Sequence, residues 1–234
     1  MSQVKLGDKN IPFIYQGSEL LYPNPVKDGL VLWYDFKGMK NSDVSKNVAR
    51  DLSGNGNNGV LQNFVYNSES GYNDGLKFDG VDDAILNVLN TNKTPLDASN
   101  MSISMVLDSA KIQTAQYFIQ VTLSDGKFIL LYRSSIDKLG YFDTFKSNKY
   151  LNFIPETNEK FSFTLNINNK QVDLRVNNEK FALFEDTGLK NASGVSLGVQ
   201  KYNGTMKSIK IYNRALTEEE IQKNALIEKE RWGL

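Results

Sequence analysis

The sequence predicts an all-β fold, either a β-sandwich or a barrel, with a short N-terminal β segment and one C-terminal helix. Short stretches of alternating apolar and polar residues recur about every 8–12 residues, with Asn, Asp and Gly between them. The chain has 234 residues, of which 40% are hydrophobic, enough for the core of one large all-β domain. A helix-capping pattern occurs once, close to the end of the chain.

Residues 1–26 are predicted to form two short strand–turn–strand units. The stretches 4–11 and 14–21 repeat one pattern, in which a Gly–polar turn separates apolar residues. Pro23 and Pro25 then favour an extended join to the rest of the chain. Because so small a segment cannot bury a core of its own, we expect it to anchor or assemble the chain. Residues 27–234 are then the main domain.

The main domain is predicted to begin with a strand at 30–36 and to continue through many further strands. Segment 101–107 shows the period-two alternation of a half-buried strand most clearly. Ser124, Asp125 and Gly126 indicate a hairpin turn between two apolar strands. The other predicted strands are 75–79, 84–88, 118–122, 128–132, 161–167, 172–176, 181–184, 195–199 and 206–212.

The C-terminal helix is predicted from a capping box at 217–220. The Thr217 hydroxyl can accept from the amide of Glu220, whose side chain can reach back to the cap amide. Leu216 and Ile221 have the spacing of a hydrophobic staple around this cap. We expect the helix to seal an open end of the β fold, and binding of a partner is the alternative.

The composition excludes several kinds of chemistry. The sequence contains no His and no Cys, so imidazole and thiolate catalysis and the metal sites built from these side chains are absent. Any bound metal would be a hard cation held by oxygen ligands. Lys plus Arg and Asp plus Glu both number 27, which argues against nucleic acid as a partner. No apolar run reaches about 18 residues, so we expect no membrane insertion.

Four segments of the main domain carry a family resemblance. Segments 28–36, 51–61, 75–83 and 204–221, in this order, resemble the concanavalin A-like jelly roll of the laminin G-like type. The resemblance covers residues 28–232 and implies two antiparallel sheets packed as a sandwich. It identifies a fold family more than a function.

The N-terminal segment carries a second resemblance. Its Lys-Leu-Gly and Ile-Tyr-x-Gly units, placed before a laminin G-like domain, resemble minor structural and tail-associated proteins of bacteriophages that infect Gram-positive bacteria. This resemblance implies a virion location in a tail, baseplate or other surface appendage. It also implies other virion proteins as partners, an oligomeric assembly, and host recognition through cell-wall polysaccharide.

A calcium site is predicted at the loop that begins at Asp51. Asp51, Ser53 and Asn55 place oxygen donors at alternate positions before a Gly, a relaxed form of a calcium-binding loop. The carboxylate that would close an EF-hand loop is missing. Laminin G-like domains often bind calcium, and Asp35 or Asp82 could supply a second carboxylate. The alternative is a turn whose side chains cap their own backbone.

Glycan binding is predicted at two loops that combine aromatic and polar residues. Tyr141, Phe145 and Tyr150 lie in one loop, and Tyr66 and Tyr72 lie in the other. Aromatic faces stack on the C–H faces of sugars, while amide and carboxylate groups bind hydroxyls. The alternative is that these rings pack on the sheet or against another subunit.

The predicted function is non-enzymatic. No strand carries the closely spaced carboxylates that glycanases of concanavalin A-like fold place on one strand. We therefore predict a phage structural protein with a lectin-like domain and no catalytic residues. A virion structural or decoration protein that binds no sugar is the first alternative, and a glycan-active enzyme is the second.

Overall fold

The structure is a computed structural model that describes residues 24–86, 88–89, 95–110, 114–199 and 201–234, together with four short strands between residues 5 and 22. These strands are β1 (Lys5–Leu6), β2 (Lys9–Asn10), β3 (Ile14–Gln16) and β4 (Glu19–Tyr22). β1 pairs with β2 and β3 with β4, both antiparallel, as the two predicted strand–turn–strand units require. The rest of 1–23 lies outside the described residues, and the anchoring role remains a prediction.

Over its described residues, the main domain consists of two antiparallel eight-stranded sheets and one helix. Its elements are β5 (Leu30–Asp35), β6 (Val48–Ala49), β7 (Gly59–Gln62), β8 (Gly71–Tyr72), β9 (Leu76–Asp79), β10 (Ala84–Ile85), β11 (Met101–Leu107), β12 (Gln116–Leu123), β13 (Phe128–Arg133), β14 (Leu139–Phe142), β15 (Asn148–Tyr150), β16 (Phe161–Asn168), β17 (Gln171–Val176), β18 (Glu179–Glu185), β19 (Ala192–Leu197), β20 (Asn203–Tyr212) and α1 (Glu218–Trp232).

The strand order confirms the predicted two-sheet sandwich. Sheet I has the order β18-β17-β16-β11-β20-β9-β8, and β5 pairs with the second half of β20. Sheet II has the order β15-β14-β13-β12-β19-β10-β7-β6. Each sheet combines one run of successive hairpins, β12 to β15 in sheet II and β16 to β18 in sheet I, with strands that are distant in sequence, such as β11 beside β20 and β12 beside β19.

The main core lies between the two sheets. Ile103 and Met105 on β11 are fully buried, as period-two alternation requires of the inner face of sheet I. Phe118 of sheet II packs edge-on against Phe163 and Tyr202, with ring centroids 6.4 and 5.4 Å apart. These contacts join the two sheets through interlocking aromatic rings.

Helix α1 begins at the predicted capping box but packs elsewhere than predicted. Thr217 Oγ accepts the amide of Glu220, and Glu220 Oε2 accepts the amide of Thr217 at 2.9 Å. The helix lies on the outer face of sheet I, where Ile221 and Ile227 form a second apolar cluster with Trp33. The prediction that the helix seals an open end was therefore wrong. Among the described residues, no helix is long and apolar enough to cross a membrane.

Two ion pairs connect this helix to sheet I. Successive side chains of β20 point to opposite faces of sheet I, so Ile209 and Ile211 pack in the main core. Lys210 lies on the opposite face, under the helix, in contact with the Glu228 carboxylate. Ser208 Oγ donates to the second oxygen of Glu228 at 2.9 Å. One turn on, Arg231 binds both oxygens of Asp35, with Nη2 2.9 Å from Oδ1. The side chains of both ion pairs are buried, which makes this interface sensitive to the loss of either partner.

Candidate functional site

The outer face of sheet II carries a groove of about 560 Å³ lined by aromatic, apolar and uncharged polar side chains. It lies across β12, β13, β14 and β15 and the turns next to them. The aromatic lining consists of Tyr117, Phe128, Tyr132, Phe142 and Tyr150, and the polar lining of Gln120, Ser134, Ser135 and Asn148. Ala115 and Leu130 complete it.

A bulge in β12 sets which side chains enter the groove. The pairing with β13 shifts between Tyr117 and Ile119, so Phe118 is an extra residue on this strand. Tyr117 and Gln120 consequently share the outer face although they lie three positions apart, while Phe118, Ile119 and Val121 are buried. The bulge thus brings one aromatic ring and one amide into the same groove.

Three tyrosines form a row across the groove. The ring of Tyr132 lies 6.0 Å from that of Tyr117 and 6.3 Å from that of Tyr150, measured between centroids. Tyr132 extends over β14 at Gly140, where an added Cβ would lie 2.9 Å from the Tyr132 ring. Its hydroxyl donates to Asn148 Oδ1 at 2.6 Å, so one amide group lies directly beside the row.

A pair of phenylalanines forms the second aromatic element of the groove. The rings of Phe128 and Phe142 are stacked at 17° with centroids 5.7 Å apart. Leu130 is paired in register with Phe142 on one side and with Gln120 on the other, so it lies between the tyrosine row and this stack. Tyr132 and Leu130 are each only 4% exposed and form the floor of the groove, while the exposed rings of Phe128 and Tyr150 offer their surfaces to solvent.

The structure places the three aromatic residues predicted from the first loop in different surroundings. Tyr150 lines the groove and is 45% exposed. Tyr141, one position before Phe142 on β14, faces the core: it is fully buried and its hydroxyl donates to Asp186 Oδ2 at 3.0 Å. Tyr141 therefore offers no ring face to a ligand, which corrects that prediction. Phe145 is exposed but lies in the turn after β14 and does not line the groove.

The second predicted loop forms an internal aromatic cluster. The rings of Tyr66 and Tyr72 lie 6.3 Å apart, and Tyr66 also lies 6.3 Å from Phe64. Tyr72 is buried, and its hydroxyl donates to the Lys46 carbonyl at 2.8 Å. Neither tyrosine lines the groove, and their packing matches the alternative in which these rings pack on the sheet.

Sequence reasoning missed most of the groove because its residues lie within strands rather than loops. Tyr117, Phe128, Tyr132 and Phe142 are all strand residues or strand ends. One signal was present: Phe128, Leu130 and Tyr132 alternate along β13, as the residues of one sheet face do. The bulge that adds Tyr117 leaves no comparable mark in the sequence.

The predicted calcium loop is occupied by its own hydrogen bonds. Asp51 Oδ1 accepts the amides of Trp33 at 3.0 Å and Ser53 at 2.9 Å. Its Oδ2 accepts the Asn57 amide at 2.9 Å and the Ser53 hydroxyl at 2.8 Å. Four donors use the acceptor positions of one carboxylate, and Asn55 Nδ2 donates to the Leu30 carbonyl at 2.9 Å. The loop therefore caps its own backbone and the start of β5, which was the alternative interpretation.

The other two predicted calcium ligands are not brought to Asp51. Asp35 binds Arg231 through both oxygens. Asp82 belongs instead to a group with Asp79 and Asp83, the group of three carboxylates that lies within 4.8 Å among the described residues. Burial raises the pKa of Asp83, whose oxygens accept from nearby groups. The three predicted carboxylates thus do not form one cation site.

Replacing Asp51 with Ala is expected to lower the free energy of unfolding by about 3 kcal/mol, because three backbone amides lose their acceptor. Urea unfolding measures this. Asp82→Ala is the matched control, because Asp82 is exposed, and its effect should stay within about 0.5 kcal/mol.

We also expect calcium and chelator to leave the melting temperature of the unchanged chain the same. A calcium-dependent rise that Asp51→Ala abolishes would contradict the capping account.

Comparisons with known proteins reveal likeness of structure only. No protein-family model and no curated protein sequence matches the chain. Trypanosoma rangeli sialidase in complex with sialic acid superposes with a TM-score of 0.64 at 14% identity, over 87% of this chain and 33% of that one. The botulinum neurotoxin serotype D ligand binding domain in complex with N-acetylneuraminic acid gives 0.64 at 17% identity, over 88% and 52%.

This chain thus spans between one third and about half of those two structures. At such low identity the likeness shows a shared fold, a β-sandwich of jelly-roll type, in agreement with the two antiparallel sheets.

Proposed function

We propose that this chain is a non-enzymatic, lectin-like module that binds glycan in the groove on the outer face of sheet II. The row formed by Tyr117, Tyr132 and Tyr150, with the amide of Asn148 beside it, carries the proposal. Sugar rings present C–H faces that stack on aromatic rings and hydroxyls that bind amides. One structure of similar fold, the botulinum neurotoxin serotype D ligand binding domain, is in complex with N-acetylneuraminic acid, which supports a sugar as the class of ligand.

The composition of the groove supports binding without turnover. Glycoside hydrolysis commonly uses two carboxyl groups that flank the scissile bond. The described residues that line the groove include no Asp and no Glu. Its ionisable side chains are tyrosines, and burial raises the pKa of Tyr132, the central one. The groove therefore lacks the carboxyl pair that would make it a hydrolase site.

We also propose that the module belongs to a bacteriophage virion and contacts the cell wall of a Gram-positive host. This part rests on the resemblance of the N-terminal segment to phage tail-associated proteins. β1–β2 and β3–β4 are two separate two-stranded sheets, and neither pairs with another of the described strands, which suits a segment that joins other virion proteins. The groove would then face host polysaccharide.

A glycan array and a pull-down with purified Gram-positive wall polysaccharide test the proposal on the full chain. We expect a defined set of glycans to be retained and then released by the free sugar. If no glycan and no wall polysaccharide is retained, the lectin-like role fails, and a purely structural or decoration role is favoured. Release of reducing ends from a bound glycan would contradict the non-enzymatic assignment.

A further inference from the structure

We infer that the groove selects a neutral glycan and discriminates against sialic acid and other anionic sugars. The inference rests on the proposed glycan binding in the groove and adds the charge class of the ligand. It also separates this chain from the two similar structures, which are described as complexes with sialic acids.

The charged residues of the groove strands point away from it. Lys149 follows Asn148 on β15, but its ammonium lies 3.6 Å from Asp143 Oδ2 and 5.9 Å from the centroid of the Phe184 ring. Arg133 follows Tyr132 on β13 and is fully buried, with Nη1 donating to the Ser109 carbonyl at 2.8 Å. Strand alternation therefore places both cations on the side opposite to the groove.

What remains in the groove is uncharged. Its described lining contains no Lys, Arg, Asp or Glu. Burial raises the pKa of Tyr132, so its hydroxyl stays protonated and donates to Asn148 rather than carrying charge. A ligand in this groove thus meets rings, Leu130, amides and hydroxyls.

An anionic sugar fits such a surface poorly. A carboxylate brought against Leu130 and Phe142 would lose water and gain no cation in return, which is strongly unfavourable. A neutral sugar carries no such charge, and its hydroxyls both donate and accept, as do the amides of Gln120 and Asn148. The phosphates of anionic wall polymers would lose water in the groove in the same way and gain no cation.

Matched glycan pairs test this inference. The full chain is titrated with oligosaccharides that differ only by a terminal sialic acid, and with a neutral wall polysaccharide against a phosphate-bearing teichoic acid. We expect each neutral member to bind at least about tenfold more tightly. We also expect its affinity to change less than about twofold between low salt and about 1 M salt, because screening acts on charged contacts.

Two variants identify where binding occurs. Tyr150→Ala should weaken binding of the neutral glycans, and Phe145→Ala, which removes an exposed ring outside the groove, should leave it unchanged. Tighter binding of the anionic members that Tyr150→Ala abolishes would overturn the charge inference and leave the groove as the site. Binding that Tyr150→Ala leaves intact, or no binding at all, would overturn the groove proposal and the inference together.

Discussion

Replacing Glu228 with Ala is expected to lower the free energy of unfolding by about 3–5 kcal/mol. The Glu228 carboxylate contacts Lys210 and accepts the Ser208 hydroxyl, and Glu228 and Lys210 are each only 2% exposed. Removing the carboxylate leaves the buried Lys210 amino group without this partner, so the folded variant must either bury an unpaired charge or release the proton. The Trp33 ring remains 5.6 Å from Nζ. Urea unfolding followed by circular dichroism measures the loss.

Two controls distinguish the buried pair from general damage to the helix. Glu230→Ala removes an exposed carboxylate from the same helix and should change stability by less than about 0.5 kcal/mol. The double variant Lys210→Met with Glu228→Leu should regain most of the loss, because apolar side chains replace a buried ion pair well. An effect of Glu228→Ala no larger than that of Glu230→Ala would contradict the account.

The loss should also depend on pH in a definite direction. Burial lowers the pKa of Lys210 to about 7, far below that of an unfolded chain. Because the Glu228 carboxylate contacts the Lys210 amino group, we expect its removal to lower this pKa further, so that the folded variant binds fewer protons at mildly acidic pH than the unchanged folded chain does. The free energy of unfolding of the variant therefore decreases more steeply as the pH falls. The difference in this free energy between the unchanged chain and Glu228→Ala should be larger at about pH 6 than at about pH 9.

The second large effect concerns binding. Tyr150→Ala is expected to weaken the affinity for the preferred glycan by about 2 kcal/mol, roughly thirtyfold in Kd. Tyr150 ends the tyrosine row and is 45% exposed, so its ring is available for stacking. For the same reason its loss should change stability by less than about 1 kcal/mol.

Phe145→Ala supplies the matched control for this measurement. Phe145 is 59% exposed and lies close in sequence to Tyr150, but it does not line the groove. Isothermal titration of both variants with one glycan should show the loss only for Tyr150→Ala. Equal losses, or a loss confined to Phe145→Ala, would place the binding surface in the turn after β14 instead.

Much of the fold could be predicted because it is encoded in local patterns. Period-two alternation located β11, β16 and β17, and the pair Thr217 and Glu220 located the start of α1. The position of the helix could not be predicted in this way. The helix packs where Lys210 and Tyr212 of β20 lie beside Trp33 of β5 on the outer face of sheet I. This surface forms only when β5 and β20, which are distant in sequence, pair with each other.

The site was harder to predict than the fold for a related reason. Of the aromatic residues expected in the first loop, Tyr150 lines the groove, whereas strand alternation directs the side chain of Tyr141 into the core. Asp51 showed the residue spacing of a cation loop, yet the same spacing also suits a carboxylate that caps backbone amides. Residue type and spacing alone do not distinguish these two uses, because the partners come from other strands.

A crystal structure of the full chain with the glycan that binds most tightly tests the central claim most directly. We expect a sugar ring stacked on Tyr150, with a hydroxyl within hydrogen-bond distance of the Asn148 amide. A sugar bound at the turn of Phe145, at the Asp51 loop or on sheet I, with the groove empty, would contradict it.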